Sequence, residues 1–330
     1  MTCISSITLL ELASSSSSPA DITLYRTESF PGCRYSDTVK DIPPISNWVA
    51  EPPPKNTFDI RLRLGEQISE GRIGLVYSVD VLEIVKPATD LFPPPPDLPR
   101  ELCVKIVKKP YGRSLAREAW FYEQLARVEG CAGVSTPRCF GFFATSLNGC
   151  LDYAGNPVTD VKPWLESKIR PRDCNSSGDV DDVLRDDRVQ KHFRDEGGTR
   201  DKSAWNKWKP SATDPLICIL LLEKIGAPYI NAPHFTNSEI EHLQDIRDIV
   251  YDIGYAGVCH GDLRYANVLR APTNDTSPLC PRHQRRHNWR LVDFDRAYRL
   301  HFTDAVPLDV QKATYFQADG VGEPYFWGWI

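Results

Sequence analysis

Apolar and polar residues alternate over 61–68 and again over 75–85, the period of two that sends successive side chains to opposite faces of a strand. The residues between them, Ser69-Glu70-Gly71-Arg72-Ile73-Gly74, make a glycine-containing turn, so the pair reads as a hairpin. Two further stretches, 101–107 and 216–222, are almost continuously apolar and predict buried strands. Lys105 alone interrupts the first, and a lysine among such neighbours must meet an anion. A helical period replaces the strand period over 114–128, where Ala116, Ala119, Trp120, Tyr122 and Leu125 fall on successive turns. It returns over 238–255, where Ile240, Leu243, Ile246, Ile249, Val250 and Ile253 form a stripe behind the capping-box pair Ser238 and Glu241. Short strands at 267–270 and 289–293 flank a basic loop.

Composition divides the chain unevenly. Residues 1–56 contain the serine run Ser14–Ser18 and the proline clusters Pro43-Pro44 and Pro52–Pro54, and are expected to form an irregular arm with Ile22–Tyr25 packed on the domain. Pro93–Pro96 predict a loop tip within an insertion at about 86–100. A second insertion, at about 150–215, carries the charge-rich runs 179–187 and 194–202 and is expected to be long and mobile. Its tryptophans Trp164, Trp205 and Trp208 argue for a short docked helix within it. The rest falls into 57–226, which holds both insertions, and 227–330, which holds the basic loop at about 271–288.

With 330 residues and 41% apolar content, the chain can bury a substantial core. Its formal net charge of -5 provides no general attraction to nucleic acid or to anionic lipid, so neither is expected as a partner. No apolar run approaches the roughly 20 residues a membrane-spanning helix needs. The ten cysteines show no regular framework, and the first residues lack the basic start and apolar core of a signal peptide. Reduced thiols and an intracellular, cytoplasmic location are therefore expected, with the nucleus as the alternative; the sequence sets no oligomeric state.

The candidate chemistry lies in two runs. His260-Gly261-Asp262-Leu263-Arg264-Tyr265-Ala266-Asn267 reads H-x-D-L-x-x-x-N and places an acid five residues before an amide. Leu291-Val292-Asp293-Phe294-Asp295 puts a second acid at the end of a short strand. With the turn at 69–76, Lys105 on its strand and Glu118 on the helix that follows, their order resembles the protein-kinase-like superfamily, as a compact and divergent, fungal-type member. The resemblance covers about 58–298 and implies an α+β, bilobal fold with a β-rich N-terminal lobe and a shortened, mainly helical C-terminal lobe.

The resemblance also implies roles. Ser69, Gly71 and Gly74 would bring backbone amides close to phosphate oxygens, with Ser69 at the first glycine position. Val76 and Cys103 would roof the adenine, Leu222 would lie behind it, the main chain of Glu223 and Ile225 would meet its edge, and Leu269 would close it from below. Lys105 would reach the α- and β-phosphates, held by Glu118, with Glu123 as the competing acid. Asp262 would accept the proton of the attacking hydroxyl, Arg264 would neutralise charge on the γ-phosphoryl group, and Asn267 and Asp293 would bind magnesium. ATP and Mg2+ are thus the implied cofactors, and a protein or small-molecule hydroxyl the implied acceptor. His260 is expected to be an architectural core residue.

Three departures keep several readings open. Gly261 stands where many protein kinases carry arginine, which argues against control by a phosphorylated activation loop. Asp295 replaces the glycine of D-F-G, and H-G-D with D-F-D is similar to the aminoglycoside and choline phosphotransferases. Only 37 residues follow Asp293, without an A-P-E motif; one helix over 307–317 is expected there, packed by Phe316, Tyr325, Phe326, Trp327, Trp329 and Ile330. The readings are a serine/threonine protein kinase, a small-molecule kinase, and a nucleotide-binding pseudokinase scaffold without turnover. Separately, Cys280, His283 and His287 have a spacing that permits zinc ligation, but no fourth ligand adjoins them, and a solvated hairpin tip is expected.

Overall fold

The computed structural model describes residues 4–16, 18–35, 49–53, 57–85, 98–99, 101–168, 184–188, 199–230, 237–272 and 277–300. The expected loop tip at Pro93–Pro96 and the expected helix over 307–317 with its aromatic residues lie outside them.

Alternation along the chain becomes a closed ring. Strand β1 (Ile4–Ser14) turns back through a Ser15 N–H to Ser18 carbonyl bond of 3.0 Å into β2 (Pro19–Arg26). After the short β3 (Arg34–Tyr35) come β4 (Phe58–Glu70), β5 (Gly74–Val85), β6 (Leu102–Val107), β7 (Cys139–Ser146), the short β8 (Asp160–Val161) and β9 (Leu216–Glu223). Their order is β2-β7-β9-β6-β5-β4-β1, and β1 also pairs with β2, which seals seven strands into a barrel. The β1–β4 pairing is parallel, with Ile7 opposite Ile60 and Leu9 opposite Leu62. The expected irregular arm therefore gives way over 4–26: the serine run is a hairpin turn, and both strands beside it complete the sheet. Ile22 and Leu24 are buried, in keeping with the packing expected there.

Register then decides which side chains face the cleft. Leu102, Val104 and Ile106 of β6 pack with Ile217, Ile219 and Leu221 of β9 in the barrel core. The alternate residues Cys103, Val107, Cys218, Leu220 and Leu222 belong to a second core outside the barrel. Both faces of these strands are covered, which is why their sequence is continuously apolar. Lys105 lies on the outer face between Cys103 and Val107; a slip of one residue would turn its ammonium into the apolar barrel.

Helix α1 (Gly112–Ala126) packs against that outer face and is almost entirely buried, including Arg117 and Glu118. The described parts of the second insertion are docked rather than loose. They contain the short helices α2 (Lys162–Glu166) and α3 (Thr199–Lys202), and β8 pairs with β1. Trp164 donates its indole N–H to the Val107 carbonyl at 2.8 Å, and Trp205 donates to the Glu28 carbonyl at 2.7 Å while its ring lies 5.6 Å from that of Phe142. The tryptophans thus anchor the insertion, as their presence suggested.

The second half is built on α4 (Asn237–Tyr255), whose Ile246, Ile249, Val250 and Ile253 are buried as the stripe requires. The side chains of Ser238 and Ile240 lie outside the described set. Short strands follow: β10 (Val258–Cys259), β11 (Val268–Arg270), β12 (Trp289–Leu291) and β13 (Tyr298–Leu300). β11 pairs with β12, and β13 lies between β10 and β3. The molecule is a mixed α/β, sheet-rich structure with few helices. It departs from the expected bilobal form in that its N-terminal sheet is a closed barrel, and in that the described C-terminal half holds one long helix among paired short strands rather than a mainly helical lobe. Among the described residues no helix is long and apolar enough to cross a membrane, and the described cysteines form no disulfide.

Candidate active site

A cleft of about 1540 Å³ opens where the outer face of the barrel meets the β10–β13 region. Every site residue proposed from the sequence lines it: Ser69, Gly71, Gly74 and Val76 from the first hairpin, Cys103 and Lys105 from β6, Glu118 from α1, Leu222, Glu223 and Ile225 at the end of β9, and Asp262, Arg264, Asn267, Leu269 and Asp293 below. These positions span more than two hundred residues of chain and come together at one place.

Lys105 is at the centre. Its Nζ lies 2.6 Å from Glu118 Oε2 and 2.6 Å from Asp293 Oδ1. Burial opposes the ammonium charge, but Asp293 and Glu118 outweigh it and hold the Lys105 pKa above its ordinary value. Burial pushes the Glu118 carboxyl up to about 7 against the pull of Lys105, whereas Lys105 overcomes burial at Asp293 and keeps that acid below its usual range. Glu123, the competing acid, faces elsewhere: it accepts from Ser29 Oγ at 2.7 Å and from the Glu51 N–H at 3.2 Å.

The turn between β4 and β5 is tied down at its base. Lys108 Nζ donates to the Gly71 carbonyl at 2.9 Å and pairs with Glu70 at 2.9 Å, while the Gly71 N–H reaches the Gly74 carbonyl at 2.8 Å. Neither glycine has a positive φ, so their backbone torsions do not call for glycine. At Gly74 the reason is contact: a Cβ would lie 2.7 Å from the Ile106 carbonyl oxygen of β6. At Gly71 the nearest atom would be 3.9 Å away, and the space is open to the cleft.

At the end of β9 the Glu223 carboxylate is engaged by Arg290 Nη1 at 2.7 Å and the Arg138 N–H at 3.1 Å, so the residue is anchored through its side chain.

The loop below is set by His260 and two left-handed residues. Gly261 has φ +75°, a conformation that favours glycine over any residue with a side chain. His260 Nε2 lies 2.8 Å from the Val292 carbonyl and must carry the proton, which leaves Nδ1 to accept from the Asp262 N–H at 3.3 Å. Burial holds its pKa below the ordinary histidine value, consistent with the neutral ring and the architectural role expected of it. Asp293 sits at φ +69°, a strained position for a residue with a side chain and one that aspartate tolerates better than most. Arg264 Nη2 lies 3.3 Å from Asp262 Oδ2, while its buried Nε has no hydrogen-bond partner among the described residues.

Two residues at the cleft escaped the sequence reading. Asp295, noted only as a departure from the kinase pattern, brings a carboxylate oxygen within 4.8 Å of those of Asp262 and Asp293. Burial, then Asp293, pushes its pKa up to about 6. Arg72, from the glycine turn, spans the cleft mouth to Asp295 at 3.0 Å. The D-x-D spacing was the only signal for the first, and none existed for the second. Magnesium takes hard oxygen donors. Three converging carboxylates, the buried Asp295 Oδ1 with no partner among the described residues, and an Asn267 whose Nδ2 is committed to the Asp262 carbonyl at 2.8 Å make a donor set that fits it. In Asn267 the amide oxygen is then the atom left to ligate.

No protein-family model matches this chain, and no curated protein matches it. Among solved structures it is similar to the structure of vaccinia related kinase 3, at 10% identity and a TM-score of 0.35, over 72% of this chain and 48% of that one. The chain spans about half the length of that kinase chain.

Proposed function

We propose that the chain is an ATP-dependent phosphotransferase, a divergent protein kinase that moves the γ-phosphoryl group of Mg-ATP to a serine or threonine hydroxyl. The observation that carries this reading is Lys105, held 2.6 Å from both Glu118 and Asp293 inside a cleft that also contains Asp262 and Asn267. A buried lysine aimed by one acid at another supplies a fixed positive charge for a polyphosphate.

In this reading the acceptor oxygen bonds to the γ-phosphorus, the bond from that phosphorus to the β–γ bridging oxygen breaks, and ADP leaves. Asp262 takes the hydroxyl proton. Arg264, whose Nε has no partner among the described residues, and Lys105 face the charge that develops on the phosphoryl oxygens. Val76, Cys103, Leu222 and Leu269 give the adenine its apolar sandwich, with the main chain of Glu223 and Ile225 at its edge. Asp293, Asn267 and Asp295 would hold magnesium, which when bound offsets phosphate charge. The reaction then depends on the cleft staying dry and on Asp262 being held by the His260 and Asn267 bonds.

A small-molecule acceptor is the second reading, supported by the left-handed Gly261 before Asp262 and by the acid at position 295. Transfer of radiolabelled γ-phosphate, screened over protein mixtures and over aminoglycoside, choline and sugar acceptors, separates the two. Label on protein serine or threonine that disappears in Asp262→Asn supports the first. If Mg-ATP raises the melting temperature but no acceptor is labelled and no ATP is hydrolysed, the chain is a nucleotide-binding scaffold and the enzymatic proposal is withdrawn.

A further inference from the structure

The loop between β11 and β12, expected as a solvated tip, is folded back onto α4. Cys280 is fully buried and His287 nearly so, and both meet Asp252, a fully buried residue of α4 that lies far from them in sequence. We propose that Asp252, Cys280, His283 and His287 form a structural zinc site, separate from the candidate active site.

Three separations among the atoms Asp252 Oδ2, Cys280 Sγ, His283 Nδ1 and His287 Nε2 have the length of a tetrahedron's edges. Cys280 Sγ is 3.3 Å from Asp252 Oδ2 and 3.4 Å from His283 Nδ1. His283 Nδ1 is 3.6 Å from Asp252 Oδ1, and His287 Nε2 is 3.4 Å from Asp252 Oδ2. Zinc bonds of about 2.0–2.3 Å at tetrahedral angles require ligand-to-ligand separations of roughly 3.3–3.6 Å. All four ligand atoms lie within 4.8 Å of one another.

The surroundings orient the ligands as metal sites do. His287 Nδ1 is 2.6 Å from Asp245 Oδ1, which fixes the proton on Nδ1 and turns Nε2 inward as a lone-pair donor. That Nε2 is buried and has no well-aligned hydrogen-bond partner among the described residues. Asp245 is itself held by the Asn288 N–H at 2.6 Å. On the other ring, His283 Nε2 lies 3.8 Å from Asp248 Oδ1. Asp252 also accepts from Ser135 Oγ at 2.6 Å and from Arg282 Nε at 2.5 Å, but two carboxylate oxygens carry about four acceptor positions, so capacity remains for a metal. Zinc would bind at His287 Nε2 and hold Cys280 as a thiolate.

With one thiolate, two imidazoles and one carboxylate from the protein, coordination is complete and the role is structural rather than catalytic. The ion would fasten the loop to α4, and the loop leads directly into β12 and Asp293.

The test is metal analysis of the purified full-length chain after expression with zinc, together with cobalt substitution. The expected result is close to one zinc equivalent per chain, a melting temperature lowered by a strong chelator and restored by zinc, and the same content in Lys105→Met. Cobalt-loaded wild type should show thiolate-to-metal charge transfer, and Cys280→Ser and Asp252→Asn should lose the metal. Less than about a tenth of an equivalent in wild type, or one equivalent retained by Cys280→Ser, overturns the proposal and leaves a hydrogen-bonded ion-pair network. Should Cys280→Ser fail to fold, the wild-type cobalt spectrum still decides, since a bound cobalt without sulfur charge transfer also overturns it.

Discussion

Arg117 grips both carboxylate oxygens of Asp186, Nε to Oδ2 at 2.6 Å and Nη2 to Oδ1 at 2.7 Å, with neither side chain exposed to solvent. Asp186 belongs to the second insertion and also receives Arg200 at 3.2 Å and the Cys33 N–H at 3.1 Å. Arg117 lies on α1 one residue before Glu118, and donates onward to the carbonyls of Asp295 and Ala297 at 3.1 and 2.5 Å. One buried ion pair therefore joins the insertion, the helix that aims Lys105, and the segment after Asp293. Removing one member of such a pair strands the other. Asp186→Ala is expected to destabilise the fold by about 3–5 kcal/mol, read as a lower urea midpoint with an unchanged slope. A loss under about 1 kcal/mol would mean the pair is not enclosed.

Lys105→Met removes the charge that joins Glu118 to Asp293. Phosphate transfer should fall by at least about 100-fold, and the rise in melting temperature with Mg-ATP should disappear. Glu118→Gln keeps a hydrogen-bonding group beside Lys105 and should be the milder change. Equal turnover in wild type and Lys105→Met would refute the assigned centre.

Asp295 makes stability depend on pH. Burial and Asp293 raise its pKa from 3.8 to about 6 in the folded chain, so between those values the native state holds a proton that the unfolded chain has lost. The stability this proton contributes is complete below the unfolded pKa and is lost as pH rises through the folded one. Asp295→Asn keeps a neutral side chain and should gain on the parent, by an amount of the order of 2 kcal/mol, between about pH 4 and pH 7. Urea unfolding of both chains across that range tests it, and parallel curves would count against a perturbed Asp295.

Three of the glycines lining the cleft should respond differently to alanine. Gly74→Ala drives a Cβ into the Ile106 carbonyl and should destabilise the β5–β6 pairing. Gly261→Ala forces a side chain into a left-handed position, at about 1–2 kcal/mol. Gly71→Ala has room for its methyl group, so its stability should stay within about 0.5 kcal/mol of the parent while ATP binding weakens. Isothermal titration alongside thermal melts separates the three.

The strands and helices that carry the cleft were readable because their patterns are local: Lys105 interrupts an apolar run, and the α4 stripe repeats at helical spacing. The barrel closure was not, since β1 finds its parallel partner β4 some fifty residues away and a serine run masks the hairpin turn. Asp186 looked like one acid among many in a charged stretch, and only its burial against Arg117 and Arg200 sets it apart. Asp252 was hidden in the same way, as a polar position of α4 whose partners arrive from a later loop. Gly261 was read as a departure from a family pattern, and its φ of +75° gives the physical reason for the residue. Arg72 reaches Asp295 only because the glycine turn folds over the cleft, a relationship no spacing encodes.

Because β1 and β2 close the barrel between β4 and β7, cutting the chain at the apparent domain start near residue 57 would strip both of these barrel strands and lay bare the hydrogen-bonding margins of their neighbours. Such a fragment would retain every residue of the cleft and still be prone to self-association. The opening segment is best understood as a stave of the vessel that holds the cleft-facing strands in register.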